Sequence, residues 1–443
     1  MNWLQRYRLR HYIQNSIVVL PVLGIVAATV TAWSLHSFER KMGWQSTESV
    51  EAARIVIGTL SAAMLTFIVF LSSTLLVAVQ IASAQLTPRI IAFVFRDPVT
   101  KSSLTVFVFT FTLSLAVLIR ISDTVPLITP RLAAWSCIIS LCAFFYLIDH
   151  IGKELRPSGV LKEIGEAGRE VIESVYPRLL AEAPDGLREF IDVPDDPPAF
   201  VIANPKPGVV LAYDSAGLVR LAERANCLIE LVPQVGDFVA AGDPLFKVSQ
   251  NRTGLSAEAA CQCVAVGQER THEQDPALAF RIVVDIAAKG LSPAINDPTT
   301  AVLAIDQIHH LLRRVGKRHL DDGVIRDSSG CVRLVYRTPD WEDFVQLAVT
   351  EIRQFGGSSI QIVRRLRAML ENLIETLPEK RIELLRQELT LLQRTADRFF
   401  LEPEERLMAA AGDSQGMGGT GDRARKRSEV PGRFNPLRSG SRP

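Results

Sequence analysis

The run Ile55-Val56-Ile57-Gly58-Thr59-Leu60-Ser61-Ala62-Ala63-Met64-Leu65-Thr66-Phe67-Ile68-Val69-Phe70-Leu71-Ser72-Ser73-Thr74-Leu75-Leu76-Val77-Ala78-Val79-Gln80-Ile81 decides the fold. It carries no charge and exceeds the ~20 apolar residues a helix needs to cross a bilayer. A segment in hydrocarbon has to satisfy its own backbone N–H and C=O groups, so it is helical. Three further apolar runs lie at about 16–36, 103–121 and 132–149. Together the four predict a transmembrane domain over residues 1–155. No cleavage site follows the first run, which reads as a retained anchor rather than a signal peptide.

Within the second run, Thr59, Thr66, Ser73 and Gln80 recur every seven residues and share one helix face. Two readings stay open: hydroxyls that let helices approach and bond, or the lining of a pore in an oligomer. No Asp, Glu, Lys or His sits mid-span in any run, which argues against a proton relay or charge-coupled transporter. The run leaves the membrane through Gln85, Pro88 and Arg89. Pro88 interrupts the helix at the membrane surface. Arg89 reads as a topology determinant or a contact to lipid phosphate.

Basic residues set the orientation. Arg6, Arg8 and Arg10, then Arg89, Arg96 and Lys101, then Lys153, Arg156 and Lys162 fall on one side of a four-span chain. That side is predicted to be cytoplasmic, with both termini on it. The opposite loops hold Arg40, Lys41 and Arg54, diluted by Glu39, Glu48 and Glu51, together with Arg120 and Arg131, so the bias is moderate.

The net charge of +1 excludes a nucleic-acid binder driven by a basic field. The six cysteines include no CxxC pair, so neither a disulfide framework nor a zinc site is expected. Cys261-x-Cys263 is a weak redox or metal candidate, set against the favoured reading of two ordinary buried or half-buried thiols.

Beyond the spans, residues 156–198 are expected to form an amphipathic helix over 160–181 and a Pro- and Asp-rich linker over 192–198. The apolar face is marked by Val160, Leu161, Ile164, Ala167, Val171 and Val175. Residues 199–250 predict a small β unit with strands at 200–203, 208–212, 228–232, 238–239 and 245–248, and a helix that Asp214 caps. Val235-Gly236-Asp237-Phe238-Val239-Ala240-Ala241-Gly242-Asp243-Pro244-Leu245 resembles the turn of the biotinyl/lipoyl barrel-sandwich family. The family's carrier lysine has no counterpart, so the likeness implies shape alone and no cofactor. Residues 251–405 predict a mainly helical cytoplasmic domain. It holds a β-hairpin around Asp327-Ser328-Ser329-Gly330 and a C-terminal helical hairpin over 358–376 and 379–398. Residues 406–443, with a basic cluster at Arg423–Arg427, predict a disordered tail.

The densest polar signature is residues 269–301. Asp275-Pro276 and Asp297-Pro298 both read as helix starts, Asp capping and Pro at the first position. Gly290 closes the first helix, and an elbow joins the two. Glu269, Arg270, Asp275, Asp285, Asn296 and Asp297 are candidates for a polar network that pins the elbow, or for an ion or small-ligand site. Asp285 has Arg281 and Lys289 at i±4. No nucleophile–base pair, Walker loop, GxGxxG, HExxH or GxSxG is present. His309-His310 and His319 near Asp321-Asp322 offer a metal reading, but adjacent histidines on a helix point about 100° apart, and a solvated helix end is the favoured reading. No catalytic residue, metal or cofactor is expected, and the chain does not read as an enzyme.

These residues also carry a resemblance. Ser83-x-Gln85-x-Thr87-Pro88-Arg89, Glu269-Arg270-Thr271 with Gln274-Asp275, and Asp285-Ile286-Ala287 followed by Leu291-Ser292-Pro293-Ala294-Ile295-Asn296-Asp297-Pro298 resemble the bacterial predicted-membrane-protein family called domain of unknown function 2254. The likeness extends to about residue 405. Lys289-Gly290 departs from it where a bulkier pair is expected. The resemblance implies a four-span inner-membrane protein with a cytoplasmic domain, and no activity. The functional expectation is a homo-oligomeric channel or channel-like protein passing an ion or small ligand. The alternative is a membrane-anchored scaffold or sensor.

Overall fold

The computed structural model describes residues 2–44, 46–47, 49–91, 96–121, 125–154, 156–182, 198–249, 254–320 and 323–418. Two compact units result: one from 1–160, 213–221 and 254–265, the other from 161–212, 222–253 and 266–443.

The first unit opens with α1 (Trp3–Asn15). Four helices follow that are long and apolar enough to cross a membrane: α2 (Val19–Met42), α3 (Val50–Gln85), α4 (Pro98–Arg120) and α5 (Ile128–Glu154). α3 and α5 extend past their predicted runs at both ends, α2 only at its C-terminal end and α4 only at its N-terminal end, where polar residues continue the helix beyond the apolar core. Large apolar side chains such as Ile55, Val69, Leu76, Ile119 and Ile139 face outward, as lipid requires. The interior is built on α4, which packs against α2, α3 and α5. Gly24, Ala28 and Ala32 form a small-residue seam on α2. A Cβ on Gly24 would lie 3.0 Å from Thr105 Cγ2 and 3.1 Å from the Thr105 carbonyl oxygen, so the helices touch nearly backbone to backbone. Glu39, buried near the end of α2, accepts from the N–H groups of Ile128 and Thr129 and from the Thr129 hydroxyl. It thereby caps α5 from another helix.

The remaining elements are α6 (Pro157–Val175), β1 (Phe200–Ala203), β2 (Gly208–Tyr213), α7 (Ser215–Ala225), β3 (Leu228–Leu231), β4 (Phe238–Val239), β5 (Pro244–Ser249), α8 (Ala257–Cys261), β6 (Val264–Gly267), α9 (Pro276–Gly290), α10 (Pro298–Gly316), β7 (Val324–Arg326), β8 (Val332–Tyr336), α11 (Trp341–Gly356), α12 (Ile360–Thr376), α13 (Ile382–Phe399) and α14 (Pro403–Ala409). The amphipathic helix stops at Val175, short of the predicted 181. Its first turns bury Val160, Leu161 and Ile164 as expected, but further along the inward face runs through Gly168 and Ile172, while Ala167, Val171 and Val175 are only half-buried. The reason is close approach, since a Cβ on Gly168 would meet Ala279 at 2.5 Å. Most of the expected 192–198 linker lies outside the described residues.

The strands over 199–250 do not form a barrel-sandwich of their own. They divide between a five-stranded sheet of order β1-β5-β3-β8-β7 and a three-stranded sheet of order β4-β2-β6. The first is held together by the parallel pairing of β3 with β8, Ile229 opposite Leu334. A pairing so distant in sequence leaves no mark in local turn pattern. The turn itself behaves as expected: Gly236 and Gly242 have φ of 95° and 92°, left-handed values that glycine tolerates. The stretch after Glu258, expected to be helical, contains β6. Residues 324–336 form the expected β-hairpin, pinned by Asp327, whose carboxylate accepts from Ser329 and Cys331 N–H.

Helices α9 to α14 pack around a core containing Phe280 and Phe344, rings 5.3 Å apart. Here α12 and α13 contact each other, but α12 also lies on α10 and α13 on α11, so the pair belongs to a larger helical array. The expected disordered tail does not begin at 406. Residues 406–418 are folded against α12: Arg367 donates to the Ala409 carbonyl, Arg364 to those of Ala411 and Gly418, and Gln361 to that of Gly416. The Asp413 carboxylate accepts from the N–H groups of Gln415, Gly416 and Gly418. Residues 419–443, including Arg423–Arg427, lie outside the described residues.

Gly24→Leu is expected to force α2 from α4 and to cost about 1–3 kcal/mol, the usual range for overpacking. Val26→Leu, at an outward position, should stay within about 0.5 kcal/mol. Thermal unfolding of the detergent-solubilised protein, followed by circular dichroism, checks the difference.

Candidate functional site

Two groups of residues are candidates, one in each unit. On α3, Thr59, Thr66, Ser73 and Gln80 lie on one face, and all four are exposed. They take no part in packing within the described chain. Thr59 and Thr66 donate instead to the carbonyls of Ile55 and Ala62, one turn back, at 2.8 and 3.0 Å. The helix ends at Gln85, and Pro88 opens a single 3-10 turn, Pro88–Ile90. Gln85, Pro88 and Arg89 are exposed there, and the Thr87 hydroxyl accepts from Arg89 N–H.

The hydroxyls that glue the membrane helices together are elsewhere. The Thr110 hydroxyl of α4 lies 2.9 Å from that of Ser140 on α5, and Ser140 bonds to the Ser136 carbonyl. Reading the second run alone missed these. The signal was present as Thr and Ser at i, i+4 spacing on α5 and on the facing side of α4.

In the second unit, residues 269–301 wrap one helix, α9, with its two ends and the start of α10. Arg270 Nε donates to Asp275 Oδ2 at 2.7 Å, and Asp275 Oδ1 accepts from Leu278 N–H at 3.1 Å. Asp275 is thus both cap and ion-pair partner. It is 2% exposed. Burial pushes its carboxyl above the usual range, and the Arg270 guanidinium and the cap bonds pull the other way. The Arg270 guanidinium also covers Gly236, where a Cβ would lie 2.1 Å from Nη2. Glu269 is exposed.

Ten residues along α9, a rise of about 15 Å, Asp285 accepts from Arg281 Nε at 2.7 Å. Arg281 also grips Glu351 of α11 through two bonds, at 2.5 and 2.7 Å. These acids hold the guanidinium charged, and Arg281 depresses the Glu351 carboxyl. Sequence spacing found the Arg281–Asp285 pair. It missed Glu351, which lies on a distant helix.

At the far end, Asp297 N–H donates to the Gly290 carbonyl at 2.7 Å. The Asp297 carboxylate receives Thr300 N–H at 3.1 Å. A Cβ on Gly290 would sit 3.0 Å from the Asp297 carbonyl oxygen, so the glycine makes room for the elbow. Asn296 is left-handed at φ 49° and exposed, beside exposed Pro293, Ala294 and Ile295. The six candidate residues therefore fall into three places along α9 and do not converge on one pocket. Helix caps, the Arg270–Asp275 pair and the Arg281–Asp285 pair within α9 engage four of the six.

Neither histidines nor cysteines add a centre. His309 Nε2 lies 2.9 Å from Asn372 Oδ1, and no cluster able to hold a metal exists among the described residues. The Cys263 thiol is pushed up to about 11, by burial and by Asp214, so it is a poor nucleophile.

Arg270→Ala is expected to raise the Asp275 carboxyl further above its unfolded value of 3.8. The folded state then binds a proton that the unfolded state releases. The loss of stability should therefore be largest near neutral pH and should shrink as pH falls toward 3.8. Urea unfolding of wild type and variant at pH values across that window checks the sign.

The sequence profile of a family described as "Predicted membrane protein (DUF2254)" matches residues 14–372. Uncharacterized protein Mb1321c of Mycobacterium bovis is 25% identical, covering 98% of this chain and 84% of its own length. Uncharacterized protein Rv1290c of Mycobacterium tuberculosis is similar to the same extent. No solved structure matches. With four apolar helices, an α+β region and a family profile spanning most of its length, the chain belongs to the DUF2254 family of predicted membrane proteins.

Proposed function

We propose that the protein is a homo-oligomeric channel or channel-like protein of the bacterial inner membrane. Its α+β region lies in the cytoplasm, with both termini, and assembles or gates the pore. The observation that carries this reading is the outward face of α3. Thr59, Thr66, Ser73 and Gln80 are exposed there, on a helix otherwise surrounded by apolar side chains. Hydrocarbon is a poor partner for the Gln80 amide. Copies of the chain arranged with these faces inward would place the stripe along water. The passing species is a small ion or solute, since no mid-span charge offers a coupling site.

A specific feature favours a second reading, a membrane-anchored scaffold or sensor. The elbow presents Pro293, Ala294 and Ile295 outward on a frame capped at both sides. Such an apolar knob suits a protein partner.

Liposomes holding the purified protein distinguish the two. The channel reading expects a ring-sized particle in mild detergent and ion flux that Thr66→Leu and Ser73→Leu change several-fold. A monomer, or flux absent from the wild type, overturns it.

A further inference from the structure

Two hydroxyls in the membrane unit stand apart from the rest. Ser61 of α3 and Ser114 of α4 are 6% and 0% exposed, and neither oxygen has a hydrogen-bond partner among the described residues. Other Ser and Thr side chains in these helices turn back on their own backbone. Thr59, Thr66 and Ser72 do so on α3, and Thr105 and Thr112 on α4. The same bond is within reach of Ser61 and Ser114, one turn away, and is not made.

The two residues also lie at one depth. Ile57 shares a buried cluster with Leu113 and Val117, while Leu71 shares another with Phe107. The helices are therefore antiparallel. At a rise of about 1.5 Å per residue, Ser61 and Ser114 come within about one helical turn of the same level. The Thr110–Ser140 hydroxyl pair lies one turn from Ser114 on the same helix. Ile57 and Met64 flank Ser61 along α3, and Leu113 and Val117 flank Ser114 along α4, and all four are buried and apolar. A hydroxyl fixed in such surroundings is costly unless something accepts and donates to it.

We infer that Ser61 and Ser114 hold a water molecule between α3 and α4, beside the Thr110–Ser140 pair. A water is the smallest species that donates and accepts at once, and internal waters bind where buried polar groups otherwise lack partners. The site is internal to one copy of the chain. It stands independently of the outward stripe and of any oligomer.

The test uses the full chain in lipid nanodiscs. Ser61→Ala, Ser114→Ala and the double variant are compared by thermal unfolding. A shared water predicts that each single change lowers Tm and that the double change lowers it by less than the sum. Additive shifts, or a rise in Tm from either single change, mean dry and independent hydroxyls and overturn the proposal. Should a variant fail to fold, a density map of the wild type at a resolution that shows waters decides. Density within hydrogen-bond distance of both Oγ atoms supports the site, and its absence overturns it.

Discussion

The free N–H groups at the start of a helix are the constraint on which this structure depends. A helix begun away from water has to find acceptors for them, and here carboxylates supply most. Asp97, Asp275 and Asp297 each precede a proline and each cap the helix that follows. Asp340 caps α11 within a reciprocal box with Asp343. Glu39 does the same for α5 across the bundle. Acids that look like chemistry in the sequence are thus largely occupied with backbone. Proline at the first helical position removes one donor and leaves the carboxylate to serve the next turn.

The membrane helices follow from a second economy of contacts. Without a hydrophobic drive between helices in lipid, close approach decides which helices touch. Gly24, Ala28 and Ala32 bring α2 onto α4, and the Thr110–Ser140 bond fastens α5 to its other side. The central position of α4 comes from small and hydroxyl residues rather than from greater hydrophobicity. The stripe of Thr59, Thr66, Ser73 and Gln80 on the outward, mostly apolar side of α3 takes no part in that adhesion.

What could be read beforehand was local. Apolar length marked the four spans, Asp-Pro marked the starts of α9 and α10, and the short aromatic and β-branched runs Phe200-Val201-Ile202 and Phe238-Val239 marked β1 and β4. The same Asp-Pro rule applies at Asp97-Pro98, where α4 begins. What could not be read depends on distant partners. The pairing of β3 with β8 joins Ile229 to Leu334, and Glu351 meets Arg281 across two helices. At the candidate site, spacing assembled six polar residues into one region. A helix spreads residues 275, 285 and 297 along its axis, so adjacency in sequence became separation in space.

The guanidinium groups of α12 bear on how far the folded region reaches past the family profile. Arg364 and Arg367 lie inside the span matched by the family profile, yet they donate to carbonyls at 409, 411 and 418, beyond its limit at 372. The limit of the family profile is therefore not the boundary of the folded body. A chain trimmed to the profile would strip both arginines of these carbonyl acceptors, and a domain prepared for study has to retain the segment through residue 418.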